Sequence, residues 1–301
     1  MSVTRRTLLG AAAAVAAAGC SPPKKDPVAT PSARPSPSVE VERRHEALAA
    51  LETRFGARLG VYALATGTGA TVAHRADERF AFCSTFKLLA AAAVLRRRAL
   101  SELDTVVTYT RADLMKSSFI TKDRVSTGMT IRQLCDAAVR YSDGTAGNLL
   151  LRDLGGPAAL TAFTRDLGDR VTRMDRIEPD ITGAVPGDER DTSSPRALAG
   201  TIERILLGDT LPADRLAFLR DLLERNTTGD RRIRAGTPTG WTVADKTGTG
   251  GYGTVNDLGV LRPPAGPPLV VALMSSKQAK DAVYDEALLA EATRYVVATL
   301  T

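Results

Sequence analysis

The strand-like segments of this sequence occur only towards the two ends of its body, and that distribution limits the folds that it can form. Segments 59–65 and 71–74 flank a Thr/Gly-rich stretch at 66–70, which is typical of a β-hairpin. Three further strand patterns follow late in the chain, at 241–246, 255–262 and 269–275. A sheet built from these strands must bring the two ends of the body together.

The long middle of the chain carries helical periodicity instead. Six segments there begin at a plausible cap or proline and repeat apolar residues at helical spacing, namely 84–100, 130–141, 145–154, 157–167, 194–207 and 212–226. Segments 41–55 and 282–300 add a helix at each end, and 106–128 and 171–193 read as long loops. We therefore expect an α+β fold, in which an antiparallel sheet flanked by terminal helices is joined to an all-α part without strands.

The net charge of the chain argues against a nucleic-acid surface. The formal charge is +6, but residues 1–19 and 20–39 each contribute +2, so the body from residue 40 onward carries only +2. Aromatic residues are 5% of the chain, too few to favour a stacking platform for single strands. The two histidines, His45 and His74, form no cluster for a His-rich zinc site. We expect no nucleic-acid partner and no metal.

The first 39 residues resemble an export signal followed by a tether. The sequence TRRTLL near the start resembles a twin-arginine signal, and the short apolar run after it, within residues 1–19, is too short to span a bilayer permanently. The run ends in AAGC, which looks like a lipoprotein cleavage site with Cys20 as the lipidated residue. Residues 20–39 are rich in Pro and Ser, as linkers are. We expect an exported protein that is either a cell-surface lipoprotein, held at the membrane only through Cys20, or secreted after cleavage nearby.

A serine and a lysine at the start of a predicted helix form the first chemical motif. Ser84 and Lys87 stand three residues apart, which places them on one helical face. Burial can lower the pKa of such a lysine until it takes a proton from the hydroxyl. The free N–H groups of the helix N-terminus suit a developing oxyanion. The spacing alone is weak, because Ser21 and Lys24 repeat it in the tether.

Three more motifs follow in order along the chain. Ser142-Asp143-Gly144 follows an apolar helix, and Glu178-Pro179-Asp180-Ile181-Thr182 lies in a charged loop. Lys246-Thr247-Gly248-Thr249 ends a strand, where lysine and threonine beside a glycine can reach an anion. Each motif has a structural alternative, which is a capping turn, a solvated acidic turn or an edge-strand lysine. The four motifs together indicate a serine-nucleophile active site.

With these motifs in this order, the sequence resembles the class A serine β-lactamases. The resemblance runs from about Glu40 to the C-terminus and includes YSDGTAGNLLL, NTTGDRRIRAG and GWTVADKTGTG. Within that family it resembles an actinobacterial type that carries Ser-Asp-Gly in place of Ser-Asp-Asn.

The resemblance implies a β-lactamase/penicillin-binding-protein-like fold with its active site in a cleft. The domain would span 40–301, with an α/β part at about 40–80 and 235–301 and an all-α part at about 81–234. The implied activity is hydrolysis of β-lactam antibiotics through a serine acyl-enzyme, which confers resistance. The implied enzyme is a monomer that needs no cofactor and binds a small-molecule β-lactam.

The resemblance also implies a role for each matched residue. Ser84 would attack the lactam carbonyl, and either Lys87 or Glu178 would be the base for that step. Ser142 would pass a proton to the departing nitrogen, and Glu178 would activate the water that releases the product. The N–H groups of Ser84 and Thr249 would form the oxyanion hole. The implied substrate-binding residues, some of them shared with catalysis, are Lys246, Thr247, Thr249, Arg232, Gly144 and Thr182.

Four departures from the family pattern qualify these roles. Gly144 replaces an asparagine, and we expect it to leave space beside the nucleophile. Thr182 replaces the asparagine that usually shares the hydrolytic water, a task that a hydroxyl can also perform. Ser117 stands about where relatives carry an aromatic residue, which predicts a wider cleft. Val255 stands where many relatives carry an arginine, and Arg232 would supply the missing charge.

Two other functions fit part of the pattern. A D,D-peptidase or esterase of the same superfamily would share the serine, lysine and Lys-Thr-Gly motifs, but the Glu178-Pro179 loop argues against it. A β-lactam-binding lipoprotein would acylate at Ser84 and then stop or turn over slowly, which Gly144 and Thr182 make conceivable. An assay with a chromogenic cephalosporin distinguishes these two functions from β-lactam hydrolysis. A hydrolase should turn over steadily, a binding protein should give a single burst, and a peptidase or esterase should give no reaction.

Overall fold

A five-stranded antiparallel sheet joins the beginning and the end of the part of the chain that the structure describes. The structure is a computed structural model that describes residues 45–301. Its strands in chain order are β1 (Arg58–Ala65), β2 (Thr71–His74), β3 (Phe80–Ala81), β4 (Val106–Val107), β5 (Met129–Thr130), β6 (Thr192–Ser193), β7 (Thr242–Thr249), β8 (Val255–Arg262) and β9 (Leu269–Ser276). The order within the large sheet is β2–β1–β9–β8–β7. Strand β1 therefore pairs with β9, and Val61 lies opposite Leu273.

Helices cover both faces of this sheet. They are α1 (Glu46–Phe55), α2 (Phe86–Arg97), α3 (Ile131–Arg140), α4 (Gly144–Leu154), α5 (Pro157–Asp166), α6 (Pro195–Leu206), α7 (Ala213–Glu224), α8 (Ile233–Gly236) and α9 (Ala287–Leu300). Because side chains alternate along a strand, Leu59, Val61 and Ala63 enter one core with α1 and α9. Tyr62 and Leu64 pack against the other core, which contains α2 to α7.

Helix α2 is the central element of the helical side. Residues 86–95 are all buried, as expected of a helix that neighbours surround on every side. Lys87 is among them, and its side chain is completely inaccessible to solvent. A lysine without solvent contact requires an acceptor or a counter-charge within the protein. The fold therefore places a buried charged side chain, which needs a polar partner, at the beginning of its central helix.

The α+β prediction is confirmed, but the expectation that strands occur only at the ends is wrong. The two-residue strands β3 and β6 pair with each other, as do β4 and β5, inside the predicted helical part. These short ladders fasten the two long loops to the rest of the chain. Two residues are too few to show a period, so the sequence pattern could not reveal them.

Element ends also differ from the predictions. Strand β7 continues to Thr249 rather than ending at residue 246, because Thr247–Thr249 stay paired with β8. The last helix begins at Ala287 rather than at residue 282, and the Asp285 carboxylate accepts a hydrogen bond from the Ala287 N–H. Among residues 45–301, no helix is long and apolar enough to cross a membrane. The predicted signal peptide, the tether and Cys20 lie outside the described residues.

Asp143 links helix α4 to a neighbouring loop. Its carboxylate caps α4 by accepting a hydrogen bond from the Ala146 N–H at 2.8 Å. It also accepts from the N–H groups of Ile120 and Thr121 at 2.8 and 2.9 Å. The residue is completely buried. Asp143 is therefore the residue of the Ser-Asp-Gly motif that stabilises the fold.

Asp143→Ala should lower the free energy of unfolding by at least about 3 kcal/mol, because three N–H groups lose their acceptor at about 1–3 kcal/mol each. Asp136→Ala is the matched control, because Asp136 forms only a partly exposed i,i+4 pair with Arg140. It should change the free energy of unfolding by less than about 0.5 kcal/mol. Urea denaturation measures both changes, and equal losses in the two variants would contradict the structural role of Asp143.

Candidate active site

Ser84 lies in a short 3₁₀ turn, Cys83–Thr85, that leads directly into helix α2. Cys83 has a φ of 49°, in the left-handed region that residues other than glycine rarely adopt. The preceding backbone is held by Asn256, whose Nδ2 donates hydrogen bonds to the carbonyl oxygens of Ala81 and Phe82 at 2.8 and 3.2 Å. Such conformations persist where the surroundings fix them, and they cluster at functional sites.

Two oppositely charged side chains contact the Ser84 hydroxyl. The Ser84 Oγ donates to Glu178 Oε1 at 2.9 Å and accepts from Lys87 Nζ at 2.9 Å. Lys87 Nζ and Glu178 Oε1 are themselves 2.6 Å apart. All three residues are buried. The serine hydroxyl therefore has a proton acceptor on one side and a cation on the other.

The protonation states follow from this geometry. Burial lowers the pKa of Lys87, although the neighbouring Glu178 carboxylate opposes the shift. Burial alone would raise the pKa of Glu178, but the Lys87 charge and the hydrogen bonds from Lys87, Ser84 and Ser117 outweigh it and lower that pKa. Glu178 is therefore ionised at neutral pH and can receive a proton.

The backbone of Glu178 is held by Asn148 on helix α4. The Asn148 Oδ1 accepts from the Glu178 N–H at 3.0 Å, and its Nδ2 donates to the Glu178 carbonyl at 2.8 Å. The Glu178–Pro179 peptide bond is cis. Sequence reasoning missed Asn148, although the residue stands one helical turn after Gly144 and so shares its face of α4.

The Ser142 hydroxyl is directed towards two ammonium groups. Its Oγ accepts from Lys246 Nζ at 3.1 Å and from Lys87 Nζ at 3.4 Å. The Ser142 carbonyl accepts from Lys87 Nζ at 2.7 Å. Lys246 is completely buried, and burial together with the nearby Lys87 charge lowers its pKa to about 7. The two lysines and Ser142 can therefore relay a proton.

Strand β7 lies against the turn that contains Ser84. A Cβ on Gly248 would stand 2.6 Å from the Phe82 carbonyl oxygen, so only glycine permits this approach. Next to it, the Thr247 hydroxyl is 2.6 Å from the hydroxyl of Thr228, a residue that sequence reasoning did not single out. The strand thus carries Thr247 and Thr249 on either side of the glycine that packs against the Ser84 turn.

Arg232 reaches the end of β7 from behind the strand. Its Nη2 donates to Thr249 Oγ1 at 2.9 Å, and its Nη1 donates to the carbonyls of Gly248 and Asn256 at 3.1 and 2.9 Å. Its Nε pairs with Glu286 at 3.0 Å. The residue is only 4% exposed. Its guanidinium is therefore committed to Thr249, to Glu286 and to backbone carbonyls of β7 and β8.

The expectation that Gly144 leaves open space beside the nucleophile is wrong. A Cβ built on Gly144 would stand 2.2 Å from Ser117 Oγ, 2.4 Å from Glu178 Oε2 and 2.6 Å from Met115 Sδ. The loop that contains Ser117 and Met115 fills the space that a side chain would occupy in a relative. The Ser117 hydroxyl donates to Glu178 Oε2 at 3.0 Å. Ser117 was expected only to widen the cleft by being smaller than an aromatic residue. The structure shows in addition that its hydroxyl contacts Glu178.

Thr182 lies in the Glu178 loop, and its hydroxyl donates to the Pro179 carbonyl at 2.7 Å. The structure thus connects five predicted residues through direct contacts, namely Ser84, Lys87, Ser142, Glu178 and Lys246. It places Thr247 and Thr249 on β7, Arg232 against the end of that strand, and Gly144 at the start of α4. Within residues 45–301, no three His, Cys, Asp or Glu side chains converge in a way that could hold a metal ion.

Comparison with known proteins gives one consistent family. A family model described as the β-lactamase enzyme family matches residues 43–300. The chain is 54% identical to a β-lactamase of Amycolatopsis lactamdurans over 274 residues, which cover 91% of this chain and 88% of that protein. It is 55% identical to a β-lactamase of Mycobacterium tuberculosis over 258 residues, which cover 84% of each chain.

The fold is similar to that of solved enzymes of this family. The class A β-lactamase of Clostridium kluyveri superposes with a TM-score of 0.83 at 45% identity, covering 84% of this chain and 97% of that structure. The fold, the sequence identity and the family model agree. The chain therefore belongs to the class A β-lactamases, a family of enzymes that hydrolyse β-lactams.

Proposed function

We propose that this chain hydrolyses β-lactams through an acyl-enzyme on Ser84. The observation that carries the proposal is the pair of 2.9 Å hydrogen bonds on Ser84 Oγ, one to Glu178 and one from Lys87. A serine hydroxyl is a weak nucleophile until an adjacent base takes its proton. Glu178 is the acceptor in this arrangement, because Lys87 uses its own protons to donate to Ser84 and to Ser142.

In the acylation step, Ser84 Oγ bonds to the lactam carbonyl carbon and the carbon–nitrogen bond of the ring breaks. The Ser84 proton passes to Glu178, and Ser142 gives a proton to the departing nitrogen. The Lys246 ammonium, 3.1 Å from Ser142 Oγ, can restore the Ser142 proton. Lys87 contacts both Glu178 and Ser142, so the proton on Glu178 can then pass through Lys87 and Ser142 to Lys246, which leaves Glu178 ionised again before deacylation. Proton transfers between groups at hydrogen-bond distance are typically worth about 10²–10⁴-fold in rate.

The backbone N–H groups of Ser84 and Thr249 are proposed to bind the carbonyl oxygen as its negative charge develops. Ser84 stands at the N-terminal end of α2, where free N–H groups and the helix dipole favour negative charge. Thr249 ends strand β7, which Gly248 allows to lie against the nucleophile turn. Donors that are fixed in advance stabilise the transition state without reorganisation.

The substrate carboxylate is proposed to bind along β7. The Lys246 ammonium supplies the charge, and the hydroxyls of Thr247 and Thr249 supply hydrogen bonds. Arg232 supports this subsite through its hydrogen bond to Thr249. Gly144 and Thr182 border the substrate from the two loops that face β7.

In the deacylation step, Glu178 takes a proton from water as the water oxygen bonds to the ester carbon. The bond to Ser84 Oγ breaks, and the proton returns to that oxygen. The products are the ring-opened acid and free enzyme. This step separates a β-lactamase from a binding protein that acylates and stops.

We also propose an actinobacterial Ser-Asp-Gly type of class A enzyme that acts as a monomer. Gly144 supports the type, and one chain supplies every residue of the proposed site. The proposed resistance activity requires export, for which residues 1–19 and Cys20 supply the sequence signals.

Cys20→Ala should abolish incorporation of labelled palmitate that the wild-type chain acquires, because lipoprotein acylation requires that thiol. Cell fractionation gives the second readout. Two lipid signals hold a protein stably at a membrane, so wild-type activity should sediment with membranes and variant activity should not. Wild-type activity found entirely in the medium would contradict the lipid anchor.

Ser84→Ala should abolish turnover and covalent labelling, since no other group replaces the nucleophile. Glu178→Ala should still acylate, more slowly, and should lower kcat by about 10²–10⁴-fold because the hydrolytic water loses its base. Intact mass spectrometry after mixing with benzylpenicillin should then show a long-lived adduct on Ser84.

Glu189→Ala is the matched control, because Glu189 lies exposed in the same loop. It should turn over as the wild type does. A Glu178→Ala variant with normal turnover and no adduct would refute the proposed role of Glu178. A single burst from the wild-type enzyme would favour the binding-protein alternative.

The pH dependence should report the charge of Lys246. With a pKa of about 7, its ammonium loses its proton as the pH rises, and the carboxylate subsite loses its charge. The value of kcat/KM should therefore fall by up to about tenfold between pH 6 and pH 8, while kcat should fall at higher pH because the bound carboxylate stabilises the ammonium. Lys246→Arg should remove this alkaline limb of kcat/KM. A flat wild-type profile up to pH 9 would contradict the assignment.

A further inference from the structure

We infer that Ser117 is a positioning residue for Glu178, and that Gly144 is the residue that makes room for it. The hydroxyl of Ser117 holds the Glu178 carboxylate in the orientation that faces Ser84. The inference rests on the proposed role of Glu178 as the base for deacylation.

The two oxygens of the Glu178 carboxylate have different partners. Oε1 contacts Ser84 and Lys87 at 2.9 and 2.6 Å, within the reactive centre. Oε2 accepts from Ser117 Oγ at 3.0 Å, outside that centre. The last torsion of a glutamate side chain has a broad energy minimum, so a carboxylate held at one oxygen can still rotate. The second contact from Ser117 fixes that rotation.

Ser117 is itself held by the start of helix α4. The Gly144 N–H donates to the Ser117 carbonyl at 3.0 Å. The hydroxyl of the next residue, Ser118, contacts the Met115 N–H and the Thr145 hydroxyl, both at 2.8 Å. Helix α4 also holds the Glu178 backbone through Asn148. One helix therefore fixes both the base and the hydroxyl that orients it, which is the preorganisation that catalysis requires.

Gly144 and Ser117 depend on each other sterically. A Cβ on Gly144 would lie 2.2 Å from Ser117 Oγ, 2.4 Å from Glu178 Oε2 and 2.6 Å from Met115 Sδ, so the hydroxyl, the carboxylate and the thioether would all have to move. Thr182, which the family pattern suggested would share the hydrolytic water with Glu178, donates its hydroxyl proton to the Pro179 carbonyl. The hydroxyl of Ser117 provides the contact that neither Gly144 nor Thr182 makes.

The test compares Ser117→Ala with Ser117→Thr, which keeps a hydroxyl. Single-turnover quench with benzylpenicillin and intact mass spectrometry gives the acylation and deacylation rate constants separately. Ser117→Ala should lower the deacylation rate constant by about tenfold or more, as expected for the loss of a hydrogen bond to a charged group. Ser117→Thr should recover most of this loss.

A second readout is the pH profile of deacylation. Deacylation needs the carboxylate form of Glu178, and the Ser117 hydrogen bond helps to lower the pKa of that group. Lys87, the charged side chain in contact with Glu178, remains in every variant. In Ser117→Ala the acid limb should therefore move to higher pH. A purely structural role for Ser117 would leave the acid limb in place.

Ser118→Ala is the matched control. Its hydroxyl bonds to the same loop and helix but not to Glu178. This variant keeps both the Ser117 hydroxyl and the bond from the Gly144 N–H to the Ser117 carbonyl, so it should lower the melting temperature without moving the acid limb.

Gly144→Ala completes a double-mutant cycle. Its Cβ should displace the Ser117 hydroxyl and slow deacylation, and adding Ser117→Ala should then cost little more. Residues that act through one contact show such non-additive effects. Losses that multiply independently would overturn the steric dependence between the two residues.

The outcomes separate the inference from the proposed function. If Glu178→Ala accumulates the acyl-enzyme while Ser117→Ala deacylates as the wild type does, the inference is wrong and the role of Glu178 stands. The inference is also overturned if Ser117→Thr is as slow as Ser117→Ala. If Glu178→Ala deacylates normally, the proposed function of Glu178 fails and the inference falls with it.

Discussion

A buried lysine and a buried glutamate meet at the Ser84 hydroxyl, and the surrounding structure serves to make that contact possible. Removing two charges from water costs several kcal/mol for each ion unless close pairing and hydrogen bonds compensate. Here the ions are 2.6 Å apart, and Lys87 has a further acceptor in the Ser142 carbonyl. The central helix α2 supplies the lysine, and a loop from the far side of the site supplies the glutamate. The ion pair therefore requires the fold to hold the beginning of α2 against the Glu178 loop, and it also supplies the base in the proposed reaction.

Helix α4 connects the parts that this pair requires. At its N-terminus Asp143 caps the helix and holds residues 120 and 121. The N–H of Gly144 holds the loop that contains Ser117, and Asn148 holds the backbone of Glu178. Strand β7 approaches from the sheet and brings Lys246 to Ser142. The proposed active site lies where the helical side of the molecule meets the sheet.

The fold class could be predicted from the sequence because strand and helix periodicities occupy separate parts of the chain. Ser84 and Lys87 could be paired because helical spacing fixes their geometry. Ser142, Glu178 and Lys246 could be joined to them only through the order of the motifs and the family resemblance, since tertiary contacts have no period in the sequence. The same reason explains why Asn148 and Thr228 were missed. The space at Gly144 was predicted wrongly because a loop almost thirty residues earlier fills it.

The direct test of the central ion pair is neutron diffraction from a crystal exchanged into deuterated buffer at neutral pH. The account predicts three deuterium atoms on Lys87 Nζ, none on the Glu178 carboxylate, and the Ser84 O–D bond directed towards Glu178 Oε1. A deuterium atom on Glu178 together with only two on Lys87 would contradict it, because the resting enzyme would then lack the ionised acceptor for the serine proton.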